Sequence, residues 1–571
     1  MKKLTFGTPE TIIPSAFCDG FHYEERSINY DTSRIRFKTN ARGCRIEFPM
    51  QPGEQIFGLG LQLKIFNLTG RQMVTRVNSD PISATGDSHA PVPFFVSTAG
   101  YGIYFDTARY VEFDFGRPRA GRPSQCDDAR EIALSTDTLY AQREFAGEVT
   151  IAAQIPAARG IDIYIIEGET ITDIVSQYNM LSGGGCEVPA WGLTPFYRCC
   201  SKYTQEQILS TAKYLKERDM PVGILGLEPG WQTRAYSCSF TWNRENLYPN
   251  PEVLVKELTD MGYHINLWEH CFTHPTSPLY ARLEGKHGDF EVWGGVVPDL
   301  SLPEVRTAFS DHHKQHVLFD TIDGFKLDEC DSSDYIVSSW SFPLLSEFPG
   351  GMDGQQFHSM LGTLYMKTML EALSGKPTLS EVRSAGSLCA SYPFVLYSDL
   401  YDHKDFIRGL ATAGFSGLLW TPELRDAKSR EELIRRMQTV VFSPQCLING
   451  WYCDKLPWLD HDCEAEIRDL MKEREKLIPK LMDAFKRYHE SGIPPVRALV
   501  SDYTYDTETY RIDDEYLFCD DMLVAPMVCG EHTRKVYLPA GSWKDYYSDA
   551  VYEGGWIEVT TENIPVFVKQ A

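Results

Sequence analysis

A multidomain α/β plus β fold is what the sequence predicts: a (β/α)8 barrel of the TIM type between an N-terminal β-sandwich and a small C-terminal β domain. Three observations carry this. Residues 1 to about 185 read as short alternating strands separated by Gly, Pro, Asn and Asp turns. From about residue 190 to 485, eight apolar strand-like runs alternate with longer amphipathic segments, the arithmetic of eight βα units. From Pro495 onward short strands return, with turns such as Pro539–Gly541. The predicted domains are 1–188, 189–490 and 491–571.

In the first domain, Gly102–Asp106 and Ile161–Ile166 have strand alternation. Thr170–Leu181 has helical spacing, and Ser182–Gly185 followed by Pro189 reads as a linker. The eight candidate barrel strands are Gly192–Tyr197, Val222–Glu228, His264–His270, Gly324–Glu329, Pro377–Arg383, Phe394–Asp399, Gly417–Glu423 and Gln445–Gly450. Between them lie clear helices, such as Thr204–Arg218, opened by a Thr-x-x-Gln capping box, and Gly354–Leu373.

Composition narrows the function. The 571 residues include 55 Lys+Arg against 79 Asp+Glu, a net charge of -24 that repels nucleic acid and anionic membrane. Fifteen cysteines are scattered with no CxxC pair, the usage of reduced thiols. The N-terminal residues lack the apolar run of a signal peptide, so a cytoplasmic location is expected.

Catalytic groups of such a barrel come from the C-terminal ends of its strands. Here the second strand ends in Glu228, the third in Trp268, Glu269 and His270, and the fourth in Asp328 and Glu329. The remaining ends are Arg383, Asp399, Glu423 and Asn449. Several carboxylates around one arginine repel one another and point to chemistry. Carboxylates and Asn bind hydroxyls, and Trp231, Trp268 and Trp420 offer apolar faces for a sugar ring. Two carboxylates about 5–5.5 Å apart perform retaining glycoside hydrolysis.

At these residues the chain resembles the glycoside hydrolases of family 31. Gly324–Glu329 is similar to that family's nucleophile strand and Arg383–Ala385 to its arginine segment, with Tyr392-Pro393 and an aspartate six residues beyond the proline. Further matches are Gly58–Gly60, Pro93–Phe95 with Gly100–Gly102, Phe348-Pro349 to His358, Phe442–Pro444, Arg497 and Leu523–Pro526. The resemblance spans nearly the whole chain. It implies Asp328 as nucleophile and Asp399 as acid/base, with Asp402 a rival acid because the loop is short. Lys326 and Arg383 join Glu228, Trp231, Trp268, Trp420, Glu423 and Asn449 as the substrate-binding set. Asp399 is expected to be protonated at rest because the Asp328 charge lies near it.

Four strand-end positions depart from the α-glucosidase pattern: Glu228 stands for Asp, Glu269-His270 follows Trp268, Thr421–Glu423 replaces Ser-His-Asp, and Asn449 replaces His. These changes favour an exo-acting α-galactosidase releasing a terminal hexose through a covalent glycosyl-aspartate. The alternatives are an α-glucosidase or α-xylosidase of the same family and an inactive carbohydrate-binding descendant. No cofactor or metal is expected, and the partner is an α-linked oligosaccharide or glycoside. Oligomeric state stays open, a homo-oligomer included. The sandwich loop from Asn78 to His89 is expected to lean over the mouth. His312, His313 and His316 could suggest a metal site, but without an HExxH motif they read as a solvated helix face. A metal-dependent barrel hydrolase is the third class, separated by sensitivity to chelators.

Overall fold

The computed structural model describes residues 1–79, 81, 83–118, 148–332 and 340–570. Its N-terminal part is a sandwich of two five-stranded antiparallel sheets. In one, Lys2–Thr8, Arg159–Glu167, Tyr101–Asp106, Phe94–Ser97 and Ile56–Gly58 lie side by side. In the other the order is Arg36–Asn40, Gly43–Pro49, Val149–Pro156, Glu112–Pro118 and Gln72–Val74. Alternating apolar residues of both sheets, among them Ile46, Phe48, Phe105, Phe113 and Ile163, close the core between them.

The helix Ile171–Met180 follows, capped by Thr170 with Asp173 reciprocating. The barrel then runs through eight parallel strands: Pro195–Arg198, Ile224–Leu227, His264–Glu269, Ile322–Leu327, Ser380–Val382, Phe394–Leu396, Glu423–Leu424 and Cys446–Asn449. Strand eight pairs with strand one, and a parallel bridge between Leu396 and Trp420 joins strand six to the start of strand seven. The capping box at Thr204 is present, with Gln207 returning to the cap, and its helix runs Gln205–Glu217. Gly354–Leu373 is a helix with both expected ends.

Parallel pairing aligns Arg198 with Gly226 and Asn449, and Gly226 with Asn266, so these residues share one layer. Gly226 is needed there. A Cβ on it would sit 3.0 Å from the Arg198 side chain, so the missing side chain leaves room for a guanidinium inside the barrel. The next layer pairs Trp268 with Lys326 and Lys326 with Glu381.

The long helix Glu464–Ser491 packs on the barrel's outside, and its buried Arg474 donates to the Leu193, Val441, Ser443 and Pro444 carbonyls. One guanidinium thus satisfies four backbone oxygens at helix and strand ends. The chain finishes in a six-stranded antiparallel sheet ordered Val496–Ala498, Tyr516–Phe518, Met522–Val524, Val566–Lys569, Thr533–Asp545 and Val551–Thr560. Among the described residues no helix is long and apolar enough to cross a membrane.

One expectation fails in the barrel wall. The helix Pro303–His316 buries His312 and His313 instead of exposing them. His313 bonds Glu269 at 2.9 Å and the Phe309 carbonyl at 2.8 Å, and His312 bonds the Phe240 carbonyl. These histidines are hydrogen-bonded core. Among the described residues no cluster of three or more metal-type ligands occurs.

Candidate active site

Strand four delivers Asp328 just beyond Leu327, where its backbone N–H still bonds the Glu269 carbonyl at 2.8 Å. The carboxylate is held at both oxygens. Oδ2 accepts the Trp268 indole N–H at 2.7 Å, Oδ1 accepts the Glu329 backbone N–H at 2.9 Å, and the Arg383 Nε lies 3.8 Å from Oδ1. Two charge-assisted hydrogen bonds and a nearby cation fix the orientation of a nucleophilic carboxylate. Glu329 takes φ +56°, which turns the chain away after the nucleophile. Burial, then the Asp328 charge, pushes the Glu329 carboxyl well above the usual carboxylate range.

Arg383 is the hub of the mouth. Its Nε lies 3.2 Å from Asp331 Oδ2 and its Nη1 2.7 Å from Asp399 Oδ2. Partial desolvation of the half-exposed Asp399 carboxyl would raise its pKa, but the Arg383 charge, with Lys326 and Arg425, brings it down to about 2. This runs against the expectation of a resting, protonated Asp399: the Arg383 cation at 2.7 Å favours the ionised form. Asp402 has a different task. Its carboxylate accepts the Asp405 N–H at 3.0 Å and caps the helix His403–Thr412.

The sandwich loop does reach this site. Buried His89 bonds Asp331 at 2.7 Å through Nδ1 and Ser398 at 2.7 Å through Nε2, tying together the segments that follow Asp328 and precede Asp399. Asp80, at the other end of the loop, lies outside the described residues.

Below the aspartates the barrel interior is ionic. Glu228 is buried between Arg198, which donates to it from Nε, and Lys326, whose Nζ is 3.4 Å away. Arg198 also donates to Glu381 at 2.8 Å and to Asn266 at 2.9 Å. On the other side of strand one, Asn449 of strand eight donates to Glu423 at 2.9 Å, with Arg425 at 3.8 Å. Burial pushes both Glu381 and Glu423 up to about 7. Arg198 Nη2, Glu381 Oε1 and Glu423 Oε1 are buried without a hydrogen-bond partner, a combination of donor and acceptors suited to hydroxyls.

The tryptophans part company. All three are buried, and what separates them is the partner: Trp268 donates to Asp328, whereas Trp231 donates to the Trp268 carbonyl at 2.6 Å and rests on Trp242. Trp420 is also buried, with its indole N–H on the Phe406 carbonyl at 3.1 Å. Glu269 points outward to His313 and Tyr365. Arg198, Asp331 and Arg425 were not singled out from the sequence. An arginine inside an apolar strand was the available signal for Arg198, whereas Asp331 and Arg425 gain their roles only from folding.

Comparison with known proteins decides the family. The glycosyl hydrolases family 31 TIM-barrel domain matches residues 186–484, the family's C-terminal domain 492–571, and its N-terminal galactose mutarotase-like domain 20–114. The chain belongs to glycoside hydrolase family 31. As a member it is a retaining α-glycosidase. It is 23% identical to an alpha-xylosidase of Emericella nidulans, covering 92% of this chain and 67% of the relative. It is 25% identical to alpha-glucosidase 2 of Bacillus thermoamyloliquefaciens, over 91% and 67% of the two chains. A Flavobacterium johnsoniae family 31 dextranase complexed with glucose superposes with TM-score 0.80 at 23% identity, over 93% of this chain and 67% of the dextranase. These relatives are a xylosidase, a glucosidase and a dextranase, so the α-galactosidase branch expected from the strand ends has no support from them.

Proposed function

We propose that this family 31 chain is an exo-acting glycosidase that releases a terminal α-linked glucose or xylose, with Asp328 as nucleophile and Asp399 as acid/base. The arrangement that carries the reading is Asp328 and Asp399 on the same guanidinium, 3.8 Å and 2.7 Å from Arg383. Asp328 attacks the anomeric carbon while Asp399 protonates the departing oxygen, and water later reverses the roles. Because Arg383 keeps Asp399 ionised in the free protein, the substrate has to loosen that ion pair before Asp399 takes up its proton. The buried charged residues Glu228, Glu381 and Glu423 inside the barrel support a closed end to the site, and hence exo action.

Glucose and xylose share equatorial 2-, 3- and 4-hydroxyls, and both appear among the activities of the relatives. Galactose inverts the 4-hydroxyl. A site whose carboxylates read hydroxyls discriminates strongly, because a buried acceptor left unpaired is costly. The test is kcat/KM for aryl α-glucoside, α-xyloside and α-galactoside under one condition, with the first product's anomeric form read by NMR. At least tenfold preference, ~1.4 kcal/mol, for glucoside or xyloside over galactoside is expected, with α-anomer released first. A galactoside preference overturns the sugar assignment, and a β-anomer overturns the mechanism.

A further inference from the structure

Between barrel strands three and four the chain makes an antiparallel hairpin, His287–Val292 with Gly295–Pro298. Val292 pairs with Gly295, leaving a two-residue turn of Trp293 and Gly294. Their φ values are +50° and +70°. Positive φ at both central positions is the type I′ pattern, whose favoured first residue is Asn, Asp or Gly. A tryptophan there is strained, since a bulky side chain disfavours the left-handed region. Its ring is half-buried and packs on the buried rings of His270 and Phe272, at 5.1 and 5.7 Å between centroids, which offsets part of that strain.

The Trp293 ring faces other aromatics. It meets Tyr236 edge-on at 5.1 Å between centroids and Trp340 at 5.7 Å. Tyr236 in turn lies 5.4 Å from Trp268, the residue bonded to the nucleophile. Tyr236 and Trp340 are 51% and 54% exposed, unlike the buried Trp231 and Trp420. An unbroken aromatic path therefore leads from Asp328 to the surface on three separate loops. Two exposed aromatics joined to a half-buried one in a strained turn, beside a carboxylate, offer ring faces that a ligand can use.

We propose that Tyr236, Trp293 and Trp340 form the leaving-group subsite, stacking on the flat apolar face of a ring attached to the cleaved sugar. This rests on the glycosidase reading and deepens it. The ring is a pyranose of an α-linked oligosaccharide or an aryl aglycone, and both offer the same stacking face.

The test compares wild type, Trp293→Asn and Trp340→Ala on three substrates: α-glucosyl fluoride, an aryl α-glucoside and an α-linked glucotriose. Fluoride is too small to reach the platform. Trp293→Asn places Asn-Gly in the turn, so its melting temperature is expected to equal or exceed wild type. For both variants kcat/KM on the fluoride stays within twofold, while on the trisaccharide it falls roughly tenfold. A fall on the trisaccharide alone assigns the subsite to pyranoses, and a fall on the aryl glucoside as well assigns it to flat rings generally. Unchanged trisaccharide turnover, or an equal loss on the fluoride, overturns the subsite. If wild type turns over none of the three, glucose fails as the terminal sugar and the same three-way comparison is made with the α-xylosyl counterparts; inactivity on both sets overturns the glycosidase reading. Calorimetric titration with the trisaccharide then decides the platform, equal binding by wild type and Trp293→Asn overturning it and weaker binding by the variant supporting it.

Discussion

Arg383 Nη1 lies 2.7 Å from Asp399 Oδ2, and this ion pair holds the proposed acid in its ionised form. The depressed pKa stabilises the folded state above the unfolded value near 4, and that contribution is lost as pH falls toward about 2. At neutral pH the pair is intact.

That acid role has a leaving-group signature. Asp399→Ala is expected to lose little on aryl glycosides with acidic phenols, which leave without help, and ~10²- to 10⁴-fold on alkyl glycosides or disaccharides. Added azide restores turnover of the activated substrate by occupying the vacated space. Asp402→Ala removes only a helix cap, costing about 1 kcal/mol of stability with no leaving-group dependence. Should Asp402→Ala show the signature and Asp399→Ala not, the two assignments exchange.

For Asp328, replacement by Asn or Ala removes the covalent step, with an expected loss on the order of 10⁴-fold or more in kcat/KM. A 2-fluoro-sugar inactivator followed by peptide mass mapping locates the adduct on wild type. An adduct elsewhere, or several per cent residual activity in purified Asp328→Ala, contradicts the role.

Glu423 links the site to pH-dependent stability. Its folded-state pKa is pushed up to about 7 by burial and by the Asp399 charge. A raised carboxyl pKa stabilises the fold below the unfolded value near 4.3, and the benefit disappears as pH rises through about 7. Glu423→Gln, neutral at every pH, is expected to flatten the decline in thermal midpoint between pH ~5 and ~8, an effect on the order of 1–3 kcal/mol. Parallel curves for the two proteins would show that Glu423 keeps an ordinary pKa.

His89 acts through others. Removing its bonds to Asp331 and Ser398 frees both the hub and the acid segment. His89→Ala is expected to lower kcat roughly 10- to 100-fold with little change in KM, because misplacement of about an ångström is enough. His89→Asn, which keeps a donor and an acceptor, recovers part of the rate. A loss confined to thermal stability would reduce His89 to a packing residue.

Much of the fold was legible because periodicity is local. Seven of the expected barrel runs contain or overlap the observed strands by two residues or more, the capping box gave the helix start at Thr204, and the expected helix Gly354–Leu373 is present with both ends. The weakest was the seventh, where Gly417–Glu423 reduces to the two-residue strand Glu423–Leu424 preceded by the bridge at Trp420. Its pairing depends on neighbours that the sequence does not specify.

By itself the sequence determined the barrel, the two β domains and the strand-end carboxylates, since alternation, capping and strand-end position are read within a few residues. Only the tertiary structure decided what those carboxylates are. Arg198 becomes the partner of Glu228 and Glu381 because strands one, two and five meet inside the barrel, with Gly226 leaving it space. His89 acquires Asp331 across 242 residues of chain, and Trp231 and Trp420 are buried while Tyr236 and Trp340 are exposed beside Trp293. The physical reason is that protonation state and ligand-facing surface are set by which charges and rings lie within a few ångströms, and those distances exist only once the barrel has closed.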